Sequence, residues 1–436
     1  MPFILPYSRT RARRKGSVGA ARPTLQPVAW TVLAIGIAAG SAQAEPLTLA
    51  AAEARLTRDN PSLAAAAQRI RALQSRADAA TRLPDPKVSV DAVNLPTNSF
   101  SLTQQGMTML SFGVSQDFPA IGQLELKGRQ LHAEAAGQHY GREASRAELV
   151  LGLRRAWLAA VYTIKAEAVV EQQERLAREN ESSVLADYRA AKTPQSDVLG
   201  ARLAVEQLRN DLTTLHADEA AELARIAEYM GGGQPPDIVA DWPDLPQPGA
   251  DAQAGLARQP LVRQAGAKVR AAEIGVRLAK KAYEPAFSLG ASYGKSFVPG
   301  SPNFFSAGIS FSVPLFAGRR IGDEVDAAGA QVMEARFAEQ DQRLALIQEI
   351  QSATARWQSA HATWSRETTR MLPLARDALR ATLATYASAQ TGLGEVLKAQ
   401  QAVFTTQMRA LQERRDQLAA QARLDELTTR STEQQP

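Results

Sequence analysis

The sequence contains no cysteine, and beyond its first 44 residues it contains no long apolar run. Without cysteine, an exported chain forms no disulfide and offers no cysteine for an N-terminal lipid. No later stretch approaches the roughly eighteen uninterrupted apolar residues of a membrane helix. If the mature chain enters a membrane, it must therefore do so through β-strands, which implies an outer membrane.

Acidic residues are missing from the first 44 residues, although this segment contains six of the fifty basic residues. An apolar run follows at Val28–Gly40, and Ala42 and Ala44 form a small-residue cleavage site. We therefore predict a secretory signal peptide at 1–44, because the apolar run is too short for an anchor helix. Its removal takes the formal net charge from +5 to about −1, so the composition implies no nucleic-acid partner.

The rest of the chain contains two copies of one pattern at an offset of about 195 to 199 residues. The matched positions are mostly turn and helix-start residues: Pro61 and Pro260, Pro86 and Pro285, Gly113 and Gly308, Pro119 and Pro314, and Tyr188 and Tyr386. We predict a first repeat at 45–230, a linker rich in Gly and Pro at 231–251, a second repeat at 252–430 and a tail at 431–436.

Each repeat contains two runs in which apolar and small polar residues alternate. In the clearest run, Phe287, Leu289 and Ala291 alternate with serine and glycine. Alternation predicts strands, which we place at about 86–94, 107–118, 285–294 and 304–314. About ten residues with one apolar and one small polar face are typical of a transmembrane β-strand beside an aqueous lumen. A soluble β-hairpin is the alternative.

Long segments rich in Ala, Leu, Glu, Gln and Arg follow each strand pair, at about 123–191 and 319–390. This composition predicts helices, and roughly seventy helical residues span on the order of 100 Å. Pro373 must bend or interrupt the second helix. The predicted fold is therefore mostly α with transmembrane β, in a duplicated unit of helix, strand, strand, long helix and helix. Because four strands cannot close a barrel and open edges are not tolerated in lipid, two, three or more copies must assemble.

Residues that could carry chemistry are few. No nucleophile with its base, phosphate-binding loop or catalytic acid pair can be assembled, so we predict no enzyme, no cofactor and no metal site. The four histidines, His132, His139, His216 and His361, are scattered along the chain. Met107 and Met109 are interpreted as lipid-facing residues rather than Cu(I) ligands.

The order of elements, the duplication and several motifs together resemble the TolC family of outer-membrane efflux proteins. These motifs are Leu83-Pro-Asp-Pro86 before the first strand, Phe118-Pro119 and Val313-Pro314 with a following glycine, and Tyr-x8-Asp/Glu-Val-Leu at the helix turn of each repeat. The resemblance implies a homotrimer with a twelve-stranded outer-membrane β-barrel, continued by a periplasmic α-helical barrel. It also implies a passive exit duct that receives substrate from a periplasmic adaptor (membrane fusion) protein and an inner-membrane pump.

The stretch from Asn94 to Leu124 further resembles the heavy-metal branch of this family. That branch implies transition-metal cations delivered by a resistance-nodulation-division pump. Two alternatives remain open, namely the same duct serving multidrug efflux or type I protein secretion, and a soluble periplasmic coiled-coil adaptor. The paired strands argue against the adaptor.

The resemblance places the functional residues at two helix turns. The residues implied at the periplasmic aperture are Glu395, Lys398 and Asp197. Glu395 matches the position of a carboxylate ring in the family. The residues implied in adaptor docking are Thr193, Pro194, Val198, Leu199, Thr391, Gly392, Leu393, Val396 and Leu397. From the residues alone, Thr193 and Thr391 also read as helix N-caps with an acid in the first turn. Lys398 can pair with Glu395 at i, i+3.

Overall fold

The structure is a computed structural model that describes residues 46–247, 255–314, 318–388 and 390–428. The predicted signal peptide and tail, and the end of the predicted linker, lie outside the described residues. No helix in these ranges combines the length and the apolar character needed to cross a bilayer.

The predicted order of helix, strand, strand, long helix and helix occurs twice. The first half contains α1 (Leu49–Asp59), α2 (Pro61–Ala80), β1 (Lys87–Val93), β2 (Met109–Phe118), α3 (Gln123–Arg189) and α4 (Gln195–Tyr229). The second half contains α5 (Pro260–Lys280), β3 (Ala286–Ser296), β4 (Phe304–Ser312), α6 (Gly318–Arg366), α7 (Leu372–Ala387) and α8 (Leu393–Thr428). The separate helix α1 was not predicted. The exact division into repeats at 45–230 and 252–430 stays a prediction.

The matched prolines Pro61 and Pro260 mark equivalent helix starts. Each is the first residue of its helix, where a missing N–H has no consequence. The side chain before each proline caps the helix: Asn60 accepts from the Ser62 amide at 3.0 Å, and Gln259 accepts from the Leu261 amide at 2.7 Å. The two halves therefore begin with the same local chemistry.

The two long helical segments differ at one place. The helix α3 runs for 67 residues without a break. In the second half, a π-helical turn at Glu367–Met371 separates α6 from α7, and Pro373 is the second residue of α7. Pro373 cannot donate to the helix ladder, so the interruption predicted at this proline is confirmed. The hydroxyl of Thr369 donates to the Ser365 carbonyl at 2.6 Å and so satisfies part of the disturbed ladder.

The four strands form one antiparallel sheet in the order β1-β2-β3-β4. The pairing of β2 with β3 joins the two halves of the chain. At its centre the register places Phe112 opposite Tyr293 and Gly113 opposite Ser292, so the apolar face and the small-polar face each continue from β2 to β3. Within the described chain, β1 and β4 each have one neighbour, so both outer edges of the sheet are unpaired.

The helical core consists of separate clusters. In the first half, Leu56, Trp157 and Ile226 bring α1, α3 and α4 together and are fully buried. In the second half, Leu346 and Leu424 join α6 to α8. These clusters hold the long helices side by side, as expected when the apolar positions of each helix form a stripe rather than a full circumference.

Arg154 connects the two halves through a nearly buried ion pair network. From α3 its guanidinium donates to Glu53 of α1 at 2.7 Å and to Asp425 of α8. Its side chain is 12% exposed. Removal of one partner from such a network leaves a poorly solvated charge, so the effect on stability exceeds that of a surface pair.

We expect Arg154→Ala to lower the apparent Tm in detergent by roughly 5 °C, because two carboxylates lose their partner. The matched control is Arg175→Ala, on the same helix, whose side chain is well exposed and lies 3.9 Å from Glu171. The control should change the Tm by about 1 °C or less. Equal losses in the two variants would show that Arg154 contributes no more than a surface charge.

Candidate functional site

The two turns that contain the predicted site residues lie side by side. One joins α3 to α4 and the other joins α7 to α8. Between them is a groove of about 660 Å³, which we call the tip groove. Residues from both turns line it, including Lys192, Thr193, Asp197, Tyr386, Leu393 and Leu397. The duplication therefore brings two equivalent motifs to one end of the molecule.

The first turn is arranged around Asp197. The chain leaves α3 through Ala191, which has a left-handed φ of 57°. The Thr193 hydroxyl then donates to Asp197 Oδ2 at 2.6 Å, and the Ser196 hydroxyl donates to Oδ1 at 3.2 Å. The prediction that Thr193 caps the helix is wrong, because Pro194 holds the cap position without a side-chain hydrogen bond. Thr193 and Ser196 fix the Asp197 carboxylate instead.

The second turn differs in its hydrogen bonds. The hydroxyls of Thr391 and Thr385 lie 3.1 Å apart, and α8 begins two residues later, so Thr391 is not the N-cap either. Glu395 lies in the first turn of α8 as expected. Lys398 Nζ donates to Glu395 Oε1 at 2.8 Å, which is the pair predicted from the i, i+3 spacing. This hydrogen bond raises the pKa of Lys398. Glu395 and Lys398 are both well exposed.

The predicted docking residues separate into exposed and buried groups. Leu199 and Leu397 are 56% and 37% exposed, and Pro194 and Gly392 are also exposed. The turn residues Thr193, Thr391 and Leu393 are half-buried.

Val198 and Val396 correct the sequence prediction. They are 6% and 3% exposed, so they pack inside the turns and present nothing to a partner. Sequence reasoning missed Leu203, an exposed residue one helical turn after Leu199. The i, i+4 spacing of the two leucines is the signal that could have found it.

The sheet has two chemically different faces. We define the apolar sheet face by its exposed large residues Val88, Val90, Phe112, Val114, Leu289, Tyr293, Phe305, Ile309 and Phe311. The small-polar sheet face consists mainly of serine and glycine and borders an open space of about 470 Å³. An exposed apolar face with a small polar face behind it is typical of strands that separate lipid from an aqueous lumen.

Aromatic residues lie at both ends of the apolar sheet face. At the end nearest the helices, the rings of Phe118 and Phe287 stack at 4.8 Å, and Phe311 lies 6.3 Å from Phe287. At the opposite end, Tyr293 pairs across the strands with Phe305. Aromatic girdles at both borders of an apolar band are characteristic of membrane barrels.

Met109 does not face lipid as predicted. It occupies the small-polar sheet face, because it shares the parity of Ser111 and Gly113 along β2. Its side chain is buried against Gly294, where an added Cβ would lie 2.3 Å from the Met109 sulfur. Gly294 thus provides the space for Met109. Met107 is exposed and lies in the loop before β2.

The histidines make separate contacts. His216 Nε2 lies 2.6 Å from Glu167 Oε1, and His361 Nδ1 lies 3.0 Å from Gln417 Nε2. In the part of the chain that the structure describes, no three His, Cys, Asp or Glu residues are placed to hold a metal ion.

Comparison with known proteins gives a family match for the second half of the chain and a shared fold for most of it. Residues 252–430 match the family model described as outer membrane efflux protein. No curated protein sequence matches the chain significantly. This family comprises efflux channels rather than enzymes, so the prediction that the chain is not an enzyme is confirmed.

Solved structures of outer-membrane channels share the fold. CusC has 17% sequence identity and a TM-score of 0.74, covering 88% of this chain and 92% of its own. VceC from Vibrio cholerae has 17% identity and a TM-score of 0.71, covering 87% and 95%. The open state of MtrE from Neisseria gonorrhoeae has 15% identity and a TM-score of 0.73, covering 87% and 88%. The second half of the chain is therefore similar to outer membrane efflux proteins, and the fold over most of the chain is that of the solved outer-membrane channels.

Proposed function

We propose that this protein is the outer-membrane component of a tripartite efflux system, and that it serves as a passive exit duct for transition-metal cations. The observation that carries the proposal is the sheet, which exposes an apolar face, carries serine and glycine behind it and leaves both edges unpaired. Such a sheet is stable in lipid only when neighbouring copies close it.

A homotrimer satisfies this requirement. The β4 edge of one copy would pair with the β1 edge of the next, so that three copies close twelve strands. Twelve lies within the range of known membrane barrels. The small-polar sheet faces would then line the lumen, and the long helices would extend the duct into the periplasm. The fold shared with outer-membrane channels supports this arrangement.

The substrate is proposed from the resemblance of residues 94–124 to the heavy-metal branch and from the acidic residue Glu395 near the tip. An adaptor would bind at the tip, and an inner-membrane pump of the resistance-nodulation-division class would deliver the substrate. The exposed leucines Leu199, Leu203 and Leu397 support a docking role, because apolar side chains exposed beside a groove favour contact with a partner helix.

The test compares cells that lack the gene with cells complemented by the wild-type protein or by Leu199→Asp/Leu397→Asp. We expect loss of the gene to raise cellular transition-metal content, and the double variant to restore little export because a carboxylate replaces each docking leucine. Mass measurement in detergent should still give a trimer. The matched control is Leu374→Asp, an exposed leucine on α7 outside the tip groove, which should export normally.

Two results would contradict the proposal. Unchanged metal content after gene loss, with accumulation of an organic dye or retention of a secreted protein, would assign the duct to drug efflux or protein secretion. Undiminished cross-linking of the double variant to the adaptor would remove the docking role of the leucines while leaving the duct function intact.

A further inference from the structure

The four junctions between helices and strands lie at one end of the sheet. The register places Phe118 beside Phe287 and Ala286 beside Ser312, so β1 and β3 begin where β2 and β4 end. Each junction carries an exposed large apolar residue: Leu83, Ile121, Tyr283 and Val313. Ile121 is 83% exposed, although it lies three residues from the membrane strand β2. These four apolar residues, together with the unpaired basic residues Arg82, Lys127, Lys280 and Arg319 beside them, are called the junction collar.

Basic residues accompany the apolar residues in pairs. One member of each pair is neutralised within the chain: Lys87 by Asp117, Arg129 by Glu125, Lys281 by Glu284 and Arg320 by Glu324. The other members are Arg82, Lys127, Lys280 and Arg319, which are exposed and form no ion pair with any described residue. The exposed carboxylates of Asp85 at the first junction and Asp323 at the fourth offset part of this charge. The same division leaves one such unpaired cation beside each of the four junctions.

The position of these cations suits the border of a bilayer. Arg82, Lys280 and Arg319 lie five to seven residues from a strand end, and Lys127 lies nine residues from one, so all four are near the border where the apolar sheet face ends. The polar region on one side of a bilayer adds roughly 5 to 7 Å to the hydrocarbon core, and long basic side chains extend toward it while their stems contact apolar surface. The Phe118 and Phe287 stack marks the adjacent edge of the apolar band.

We propose that the junction collar binds the phosphate groups of anionic phospholipids in the periplasm-facing leaflet. The inference rests on the proposed membrane function. The apolar residues enter the interface beside the aromatic border, and Arg82, Lys127, Lys280 and Arg319 attract the phosphates. The collar is continuous with the apolar sheet face, and its free charge is opposite to that of the lipid. A basic residue near an anionic membrane surface typically strengthens the interaction about fivefold.

The experiment uses full-length mature protein in nanodiscs of phosphatidylcholine, alone or mixed with phosphatidylglycerol, and counts retained lipids by native mass spectrometry after release. The test variant replaces all four free cations with glutamine: Arg82→Gln, Lys127→Gln, Lys280→Gln and Arg319→Gln. The control makes the same charge change on exposed residues far from the strands: Arg189→Gln, Arg356→Gln, Arg370→Gln and Arg376→Gln.

We expect wild type and control to retain phosphatidylglycerol over phosphatidylcholine, and the collar variant to lose this preference about fivefold or more. Added salt should weaken the preference of the wild type, because the charges are exposed. Equal retention by collar variant and control would overturn the inference, as would a wild-type preference that persists at high salt.

Two further results separate folding and function from lipid binding. If the collar variant does not fold, the double variant Arg82→Lys/Arg319→Lys, with its charge retained, should keep the preference, and its loss there would also overturn the inference. Failure of the wild type to insert into any bilayer would overturn the proposed function and the collar together. Insertion without lipid preference would overturn the collar alone.

Discussion

Replacement of Ile309 by arginine should keep the protein out of the outer membrane. Ile309 lies in the middle of β4, is 54% exposed on the apolar sheet face and pairs with Leu289. An arginine at the midplane of a lipid-facing strand costs about 2 to 4 kcal/mol, and each copy of the assembly would carry one. We expect the variant to accumulate in the periplasm or to be degraded.

The control lies one residue away. Gly308 belongs to the small-polar sheet face, and an added Cβ would meet no heavy atom within 4 Å. Gly308→Arg should therefore insert normally and narrow the lumen. The measurement is the fraction of each variant that floats with outer-membrane vesicles and migrates as an oligomer in detergent. If both variants insert equally well, the apolar sheet face does not contact lipid and the proposed barrel is wrong.

The contrast between Ile309 and Gly308 shows what local sequence can determine. A period of two residues assigns every side chain of a strand to one of two faces, so the alternation around Phe287 was enough to predict both faces of β3. The same parity, counted from Leu110, places Met109 among serines and glycines. The apolar character of Met109 favours the lipid-facing side, but its parity along β2 determines its face, so the lipid-facing prediction for Met109 is wrong.

Features that depend on distant contacts were harder to predict. The pairing of β2 with β3 joins residues about 180 apart, and no local pattern specifies which edges meet. The short α1 is held by contacts of Leu56 with Trp157 and by a parallel bridge between Leu47 and Ile238, which lie far apart in the sequence. The amino-acid composition of these segments predicts neither contact.

The helix turns show the same limit on a smaller scale. The threonines Thr193 and Thr391 have the side chain that commonly caps helices, which explains the prediction. Their hydroxyls contact Asp197 and Thr385 instead, because each helix begins one residue later than predicted. The order of the motifs predicted which turns form the tip of the molecule. The hydrogen bonds within these turns depend on the backbone conformation after α3 and α7, which the motifs do not specify.

Glu395 should determine the charge selectivity of the proposed duct. In a trimer, three copies of this exposed carboxylate would form one ring at the periplasmic mouth. A ring of carboxylates favours cations through its field, without binding them as ligands. Each Lys398 ammonium, at 2.8 Å, cancels part of that field. The net effect at the mouth is therefore a balance between Glu395 and Lys398.

We expect Glu395→Gln to lower the cation-to-anion permeability ratio in planar bilayers by about two- to tenfold at low salt, and Lys398→Ala to raise it. Both changes should shrink as ionic strength rises, since the Debye length falls from about 30 Å at 0.01 M to about 3 Å at 1 M. The control is Asp341→Asn, which removes the same charge from an exposed position on α6, on the order of 60 Å or more from the turn along the helices, and should leave the ratio unchanged.

The opposite signs expected for Glu395→Gln and Lys398→Ala separate a field effect from a structural one. If Glu395 serves only the start of α8, where a carboxylate stabilises the helix dipole, its loss should lower stability without changing selectivity. Loss of Lys398 would then leave the permeability ratio unchanged, because its charge would not act on ions at the mouth. The helix itself would lose about 0.5 kcal/mol or less, the contribution of an exposed i, i+3 pair. A ratio for Glu395→Gln equal to that of the parent at every ionic strength would show that Glu395 is a helix-start residue and that its proposed role at the aperture is wrong.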